Sequence, residues 1–306
     1  MMIKKIGIIL LALCCLAGAF SASAEVVPLG LDDPAVLPNE AGYTTPTHYE
    51  DPSITVDVFP ENRIFGTNYV YAVIKIADGS QLRTAFSRKY NSDYKVPGTV
   101  MAEANHAVFA INADFYNFYS DGYLVRQGRE YRNRPTKYWD VLIIDQYGDF
   151  HVITEPTKNK IAAWKEEHPD LQVINSFNFG PVLAMGGEWL QEKFTNENVL
   201  NFFQIAGAKQ YARMAVCQLA PLTYMFAACE SVLDAESEGL TLDEWAQCLR
   251  EIDGKIADYD IQVAYNIDGG GSATMVFHNE KINSLTNPKI RDLVDILYFV
   301  SAWKEE

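Results

Sequence analysis

The sequence predicts an α+β fold: a single domain with a mixed, largely antiparallel β-sheet core and flanking helices. Short apolar runs typical of strands outnumber helical patterns along the 306 residues. Most neighbouring runs are joined by short turns, which suit antiparallel pairing. Strand and helix patterns do not alternate regularly, as they would in a doubly wound parallel sheet. The interior contains no internal repeat and no linker, so one domain is expected.

The predicted strands are apolar runs bounded by turn residues. The turns Ala77-Asp78-Gly79-Ser80 and Tyr147-Gly148-Asp149 each join two of them. The runs at 107–111 and 261–267 are continuous enough to be fully buried strands. The full set lies at 68–76, 81–86, 107–111, 141–145, 150–154, 224–229, 261–267, 274–277 and 294–300.

Of three predicted helices, the clearest begins at Thr241. Thr241 and Glu244 fit a capping box, in which each side chain satisfies a free backbone N–H. Apolar residues then fall on one helical face, and Gly254 lies just past the end. These residues are Leu242, Trp245, Ala246, Leu249 and Ile252. The other two helices are predicted at 100–105 and 158–168.

The N-terminus has the three parts of a secretory signal. Lys4 and Lys5 precede an apolar run, and the small residues Ala22-Ser23-Ala24 form a cleavage site. No stretch approaches the roughly 20 apolar residues that a membrane-spanning helix needs. We therefore expect a signal peptide at 1–24, an extended proline-rich arm at 25–60 and one domain at 61–306, in a secreted, periplasmic or cell-surface protein.

Charge and cysteine content limit the partners. The formal net charge is −15, which excludes a nucleic acid or an anionic membrane as the partner, because both need a basic face. An anionic substrate would need a local positive group, so single arginines are informative. Cleavage would leave Cys217, Cys229 and Cys248, without zinc-ligand spacing. The sequence is compatible with one disulfide among them or with three free thiols. It does not indicate the oligomeric state.

The strongest chemical signal is a carboxylate that a buried strand delivers into glycines. The segment reads Asn266-Ile267-Asp268-Gly269-Gly270-Gly271-Ser272-Ala273-Thr274. Glycines let a ligand approach the backbone and expose N–H donors, and the strand end holds the carboxylate rigidly. A Gly-rich hairpin turn is the alternative. The segment is neither a Walker loop nor a dinucleotide fingerprint.

Three further stretches place polar groups beside apolar strands. Asn112 and Asp114 follow the run at 107–111, where they suit hydroxyl groups or a cation, or form an Asx turn. Gly180, followed by Pro181, indicates a fixed bend. Arg213 enters an apolar strand, where burial is costly without an anion or a protein carboxylate. Paired oxygens at Asp114 and Asp268 suit calcium, so a calcium cofactor stays open and metal ligands stay unassigned.

Taken in order, these stretches resemble the phosphodiester glycosidase family over about residues 70–300. The residues that show the resemblance are Ile111-Asn112-Ala113-Asp114-Phe115-Tyr116, Gly180-Pro181-Val182-Leu183, Arg213-Met214-Ala215-Val216, and the glycine segment through Met275. The Glu238-Gly239-Leu240-Thr241 segment before the capped helix is also similar. Many members carry Asp-Gly-Arg before that segment, where this chain has Glu230-Ser231-Val232. That departure puts one substrate contact in doubt.

The resemblance implies hydrolysis of a sugar-1-phosphodiester in a glycan or glycopolymer. Asp268 would be the nucleophile or the base that activates water, and Asp114 a second carboxylate. Arg213 would bind the phosphate with the amides of Gly269, Gly270 and Gly271. The remaining candidates for substrate binding are Asn112, Asn266, Ser272, Thr274 and Gly180. A non-catalytic glycan-binding protein and a structural protein of an envelope polysaccharide are the alternatives.

Overall fold

A computed structural model describes residues 26–190, 209–232, 237–284 and 290–304. The predicted signal peptide and its cleavage site lie outside these residues. Three helices occur in the described part: α1 (Gly98–Ala104), α2 (Lys158–Glu167) and α3 (Leu242–Asp253). None of the described helices is long and apolar enough to cross a membrane.

Antiparallel strands form most of the described chain. In chain order they are β1 (Tyr43–Thr45), β2 (His48–Asp51), β3 (Ile54–Ile64), β4 (Thr67–Ile76), β5 (Leu82–Phe86), β6 (Phe109–Asn112), β7 (Gly122–Arg126), β8 (Arg129–Arg134), β9 (Val141–Asp145) and β10 (Phe150–Ile153). They continue as β11 (Val173–Asn178), β12 (Val182–Met185), β13 (Glu188–Trp189), β14 (Met214–Ala220), β15 (Thr223–Cys229), β16 (Val263–Ile267), β17 (Met275–Phe277), β18 (Glu280–Lys281) and β19 (Asp295–Phe299).

The strands form two large sheets and two small ones. The nine-stranded sheet has the order β1-β2-β3-β4-β15-β14-β16-β12-β13, and the five-stranded sheet has the order β18-β17-β6-β19-β5. Strands β10-β9-β11 form a third sheet, and β7 pairs with β8. The predicted α+β class with a largely antiparallel core is confirmed.

The core lies between the two large sheets. Strand alternation decides which side chains enter it. Val70, Ala72 and Ile74 of β4 face the five-stranded sheet, whereas Tyr69 and Tyr71 face the side covered by α3. Helix α3 has the predicted capping box, and its apolar face is buried against this second side. Helix α1 covers the outer face of the five-stranded sheet.

The N-terminal region differs from the predicted arm. The predicted arm covers 25–60, but strands are missing only from residues 26–42 of the described part. Strands β1 and β2 and most of β3 fall within the predicted arm and belong to the nine-stranded sheet. The sequence holds a strand signal, because Ile54, Val56 and Val58 alternate and are buried. Pro60 lies at the irregular register between Phe59 and Asn62, where a missing N–H is tolerated.

Within the described residues, Cys217, Cys229 and Cys248 are buried free thiols, so no disulfide joins any two of them. Burial raises the pKa of each thiol, which keeps it protonated. These cysteines therefore behave as small core residues.

Candidate active site

Asp268 follows β16 at one edge of the nine-stranded sheet, beside the start of β14. The register pairs Met214 with Ile267, so Arg213 and Asp268 emerge at the same edge. Gly269 is required here, because a Cβ would lie 2.4 Å from the Ala212 carbonyl oxygen. The N–H of Gly270, which has φ of +55°, donates to the same oxygen at 2.7 Å. The glycines therefore fold the chain tightly against β14 just after the carboxylate.

The Asp268 carboxylate is half-buried and electrostatically perturbed. Desolvation raises its pKa to about 7, and the neighbouring Asp114 charge acts in the same direction. A hydrogen bond from Ser272, the positive charge of Arg291 and a backbone hydrogen bond from Gly269 oppose that rise. A carboxyl group with a pKa near 7 is suited to changing its protonation state during catalysis.

A buried ion cluster lies next to Asp268. The Arg126 guanidinium donates to Asp114 at 2.6 Å and to Asp295 at 2.8 Å and 3.1 Å. Asp114 also accepts from the Asn178 backbone N–H at 2.8 Å. Desolvation raises the pKa of Asp295 to about 8 although Arg126 opposes it, with Asp114 and Asp268 adding to the rise. One arginine thus joins two carboxylates that two separate chain segments supply.

Two asparagines hold the strand ends. Asn112 donates to the Asp268 carbonyl oxygen at 2.7 Å and to the Ala113 carbonyl oxygen, and it accepts from the Thr274 backbone N–H at 3.0 Å. Both of its donors are therefore taken by the backbone. Asn266 donates to the Gly180 carbonyl oxygen at 2.8 Å, and its buried Oδ1 has no partner among the described residues.

Two arginines border Asp268. Arg213 is buried, and its Nε donates to the Leu240 carbonyl oxygen at 2.9 Å while one terminal nitrogen donates to that of Lys209 at 2.8 Å. Desolvation lowers its pKa. Arg291 is exposed, and its backbone N–H donates a hydrogen bond to the Gly271 carbonyl oxygen at 2.8 Å. The site therefore offers one fixed and one exposed cation.

These residues surround a cleft of about 460 Å³, within the range of pockets that bury small-molecule ligands. Polar groups of Arg213, Asn266, Asp268 and Arg291 line the cleft. Aromatic side chains also line it, namely Phe115, Phe118, Tyr119, Phe179 and Tyr211. A smaller cavity adjoins the cleft and shares Asp268 and Arg291 with it.

The structure brings most of the sequence-predicted candidates to this edge. Arg213, Asn266, Asp268, Gly269 and Gly270 line the cleft. Asn112, Asp114 and Ser272 line the adjoining cavity. Gly180 touches neither, but its carbonyl fixes Asn266; it precedes a cis Pro181. Gly271 and Thr274 line neither cavity and act through their backbones, which bond Arg291 and Asn112.

Sequence reasoning missed Arg126, Asp295 and Arg291, and also the aromatic side of the cleft. A signal existed for the first two, because Arg126 is a single charge at the end of the apolar run Leu124-Val125 and Asp295 is a single charge inside the apolar run from Leu293 to Tyr298. Among the described residues, no group of three or more His, Cys, Asp or Glu side chains has metal-binding geometry.

A sequence model of the phosphodiester glycosidase family matches residues 105–300. The chain therefore belongs to the phosphodiester glycosidase family, as its motifs predicted. No curated protein sequence matches the chain.

Solved structures share the fold at low sequence identity. The zebrafish N-acetylglucosamine-1-phosphodiester alpha-N-acetylglucosaminidase catalytic domain, described as auto-inhibited by its pro-peptide, has a TM-score of 0.61 and 16% identity, covering 91% of this chain and 98% of that one. A hypothetical protein from Synechocystis has a TM-score of 0.57 and 15% identity, covering 84% and 64%. A Burkholderia pseudomallei K96243 protein described as exported has a TM-score of 0.50 and 12% identity, covering 76% and 74%.

The segment that departs from the family pattern does not line the cleft. Glu230 accepts from the Ser284 backbone N–H at 2.6 Å and lines a separate cavity with Arg63 and Tyr69. Val232 pairs with Ser237 in an isolated bridge. Neither Glu230 nor Val232 contributes a side chain to the cleft that holds Asp268.

Proposed function

We propose that this protein hydrolyses the bond between the anomeric carbon of a sugar and a phosphodiester oxygen, outside the cytoplasm. Water supplies a hydroxyl group to the anomeric carbon. The C–O bond breaks with its electron pair on the phosphate oxygen, and the products are a free sugar and a phosphate monoester. The second proton of water goes to the site base or to solvent.

The observation that carries this proposal is a carboxylate with a pKa near 7 that shares one cleft with two arginines. The transition state pairs a cationic sugar ring with a departing phosphate anion. Asp268 stabilises the first charge, as nucleophile or as the base for water. Arg213 and Arg291 stabilise the second charge. Phosphate is a good leaving group, so ionised Asp268 is the active form.

The other site residues then take distinct parts. The amides of Gly269 and Gly270, which the sequence predicted as phosphate donors, bond within the protein instead, the first to the Asp268 carboxylate and the second to the Ala212 carbonyl oxygen. Asn266, whose Oδ1 is unpartnered within the described residues, accepts from a sugar hydroxyl group. Asn112 holds the Asp268 loop by its bond to the Asp268 carbonyl oxygen.

Asp114 acts mainly as a positioning carboxylate in this proposal. It is buried, and it is bonded to Arg126 and to the Asn178 backbone. Its charge raises the pKa of Asp268 across the small adjoining cavity. Asp114 therefore adds to the rise in the pKa of Asp268, of which burial is the largest cause.

The test is sugar release from an N-acetylglucosamine-1-phosphate ester by wild type and by Asp268→Asn. The variant should lose activity by on the order of 1,000-fold or more, because asparagine cannot act as nucleophile or base. Asp121→Asn, an exposed acid that lines neither cavity, is the matched control and should keep full activity. Full activity in Asp268→Asn would remove Asp268 from the mechanism. Glycan binding without release from any diester would favour a binding protein.

Export is the second part of the proposal. It rests on the tripartite N-terminal segment, with cleavage after Ala24 and a glycan or glycopolymer as substrate. N-terminal sequencing of extracellular material should begin at Glu25. A retained Met1 on that material would contradict cleavage.

A further inference from the structure

Four aromatic side chains form a wall in the cleft that also holds the charged groups. The wall consists of Phe115, Phe118, Tyr119 and Phe179, which line the cleft, with Trp139 packed against Tyr119. Ring centroids are 4.8 Å apart for Phe115–Phe179, 5.1 Å for Phe115–Tyr119 and 4.4 Å for Tyr119–Trp139. These contacts make one continuous apolar surface beside Asp268.

The wall runs from the floor of the cleft to its mouth. Phe179 is only 8% exposed, whereas Phe118 is 62% exposed. Phe118 contacts Phe115 and Tyr119 at centroid distances of 5.9 Å and 6.5 Å. An exposed Phe at the mouth of a ligand cleft is apolar area that a bound molecule would cover.

The segment that carries Phe118 is anchored. Arg132 donates to the carbonyl oxygens of Tyr116 at 3.0 Å and Asp121 at 2.7 Å, and Arg134 donates to that of Ser120 at 2.6 Å. The Phe118 backbone N–H donates to the Phe115 carbonyl oxygen at 2.9 Å. Backbone anchoring on both sides keeps the ring at the mouth, as a preorganised contact requires.

The cleft therefore offers different groups to the two halves of a bound diester. Arg213, Asn266 and Arg291 match phosphate and sugar hydroxyl groups, whereas the aromatic wall matches an apolar group. In the proposed reaction the bond to be cleaved lies at Asp268, and the wall lines the same cleft, so we place the leaving half along the wall.

We propose that the alcohol esterified to the phosphate is apolar and lies along the aromatic wall, with Phe118 as the residue that selects it. This inference rests on the proposed function and names its substrate class: a sugar-1-phosphodiester of an alkyl alcohol. The wall contacts the leaving alcohol, and the charged and polar groups of the cleft bind the sugar and the phosphate.

The experiment compares methyl, butyl and octyl esters of N-acetylglucosamine-1-phosphate. In wild type, kcat/KM should rise with chain length, by up to about fourfold per methylene that the wall buries. In Phe118→Ala this dependence should flatten, because the octyl ester should lose more of its kcat/KM than the methyl ester. Phe65→Ala, another exposed Phe that lies outside the cleft, is the matched control and should keep the wild-type dependence.

Calorimetry of the same esters with Asp268→Asn measures their binding to the wall without turnover. The octyl ester should bind more tightly than the methyl ester, and adding Phe118→Ala should remove the difference. Equal kcat/KM and equal affinity across the series would overturn the inference, as would an equal loss for all esters in Phe118→Ala, which would place the sugar on the wall. A wild type that discriminates chain length in binding yet hydrolyses none of the esters would overturn the proposed function alone.

Discussion

Replacing Asp268 by Asn should stabilise the fold at alkaline pH while it removes activity. Asp268 has a pKa of about 7 in the folded protein, against an ordinary value of 3.8. Each unit corresponds to about 1.4 kcal/mol, so ionised Asp268 costs the fold about 4 kcal/mol at most. The cleft half-exposes the carboxylate, and water there reduces this figure.

The sign follows from proton binding. Between the two pKa values the folded protein holds a proton on Asp268 that the unfolded chain has released. The stability due to protonated Asp268 is therefore full below pH 3.8 and is lost as pH rises through about 7. Asparagine does not ionise, so Asp268→Asn avoids this loss. About 3 kcal/mol of the difference should develop between pH 5 and pH 8.

Thermal unfolding at several pH values is the assay. The Tm of Asp268→Asn minus that of wild type should grow by on the order of 5–10 °C between pH 5 and pH 8. Asp114→Asn is the contrasting variant, because it breaks a 2.6 Å buried ion pair with Arg126 and should destabilise the fold by about 3–5 kcal/mol. A Tm difference for Asp268→Asn that stays constant from pH 5 to pH 8 would refute the reasoning.

Three further predictions concern the arginines. Arg213→Lys should lower kcat/KM for sugar release by roughly 10- to 100-fold, because lysine keeps the charge but loses the planar fork; unchanged turnover would contradict its role. Wild-type kcat/KM should fall as pH drops below about 7, because Asp268 becomes protonated. In Arg291→Gln this fall should occur at higher pH, because the variant loses a positive charge that lowers the pKa of Asp268. Arg126→Met should cost about 3–5 kcal/mol in urea unfolding at pH 8, because two buried carboxylates lose their partner; a smaller loss would show that water reaches the cluster.

The convergence of Arg213 and Asp268 was accessible from the sequence, because antiparallel geometry brings the end of one buried strand beside the start of the next. The pairing of Met214 with Ile267 places the two residues at one edge. The motif with three glycines added the tight turn that Gly269 and Gly270 make against Ala212.

The Arg126 cluster was not accessible in the same way. Arg126 and Asp295 are 169 residues apart, and one charge at the end of an apolar run does not reveal which distant acid will meet it. The hairpin of β7 and β8 was missed as well, because β8 is polar and half-exposed and has no alternation. The predicted arm was too long, because its many prolines indicated irregular chain more strongly than the alternating apolar residues of β3 indicated a strand.

The position of β19 has a consequence for biosynthesis. It is the last strand among the described residues, yet it lies inside the five-stranded sheet between β6 and β5, and it begins with Asp295. Until residue 299 has left the ribosome or a translocation channel, β6 and β5 lack their shared neighbour and Arg126 lacks one of its carboxylates. A nascent chain therefore holds no finished cleft, and a truncation before β19 should yield an aggregation-prone, inactive product.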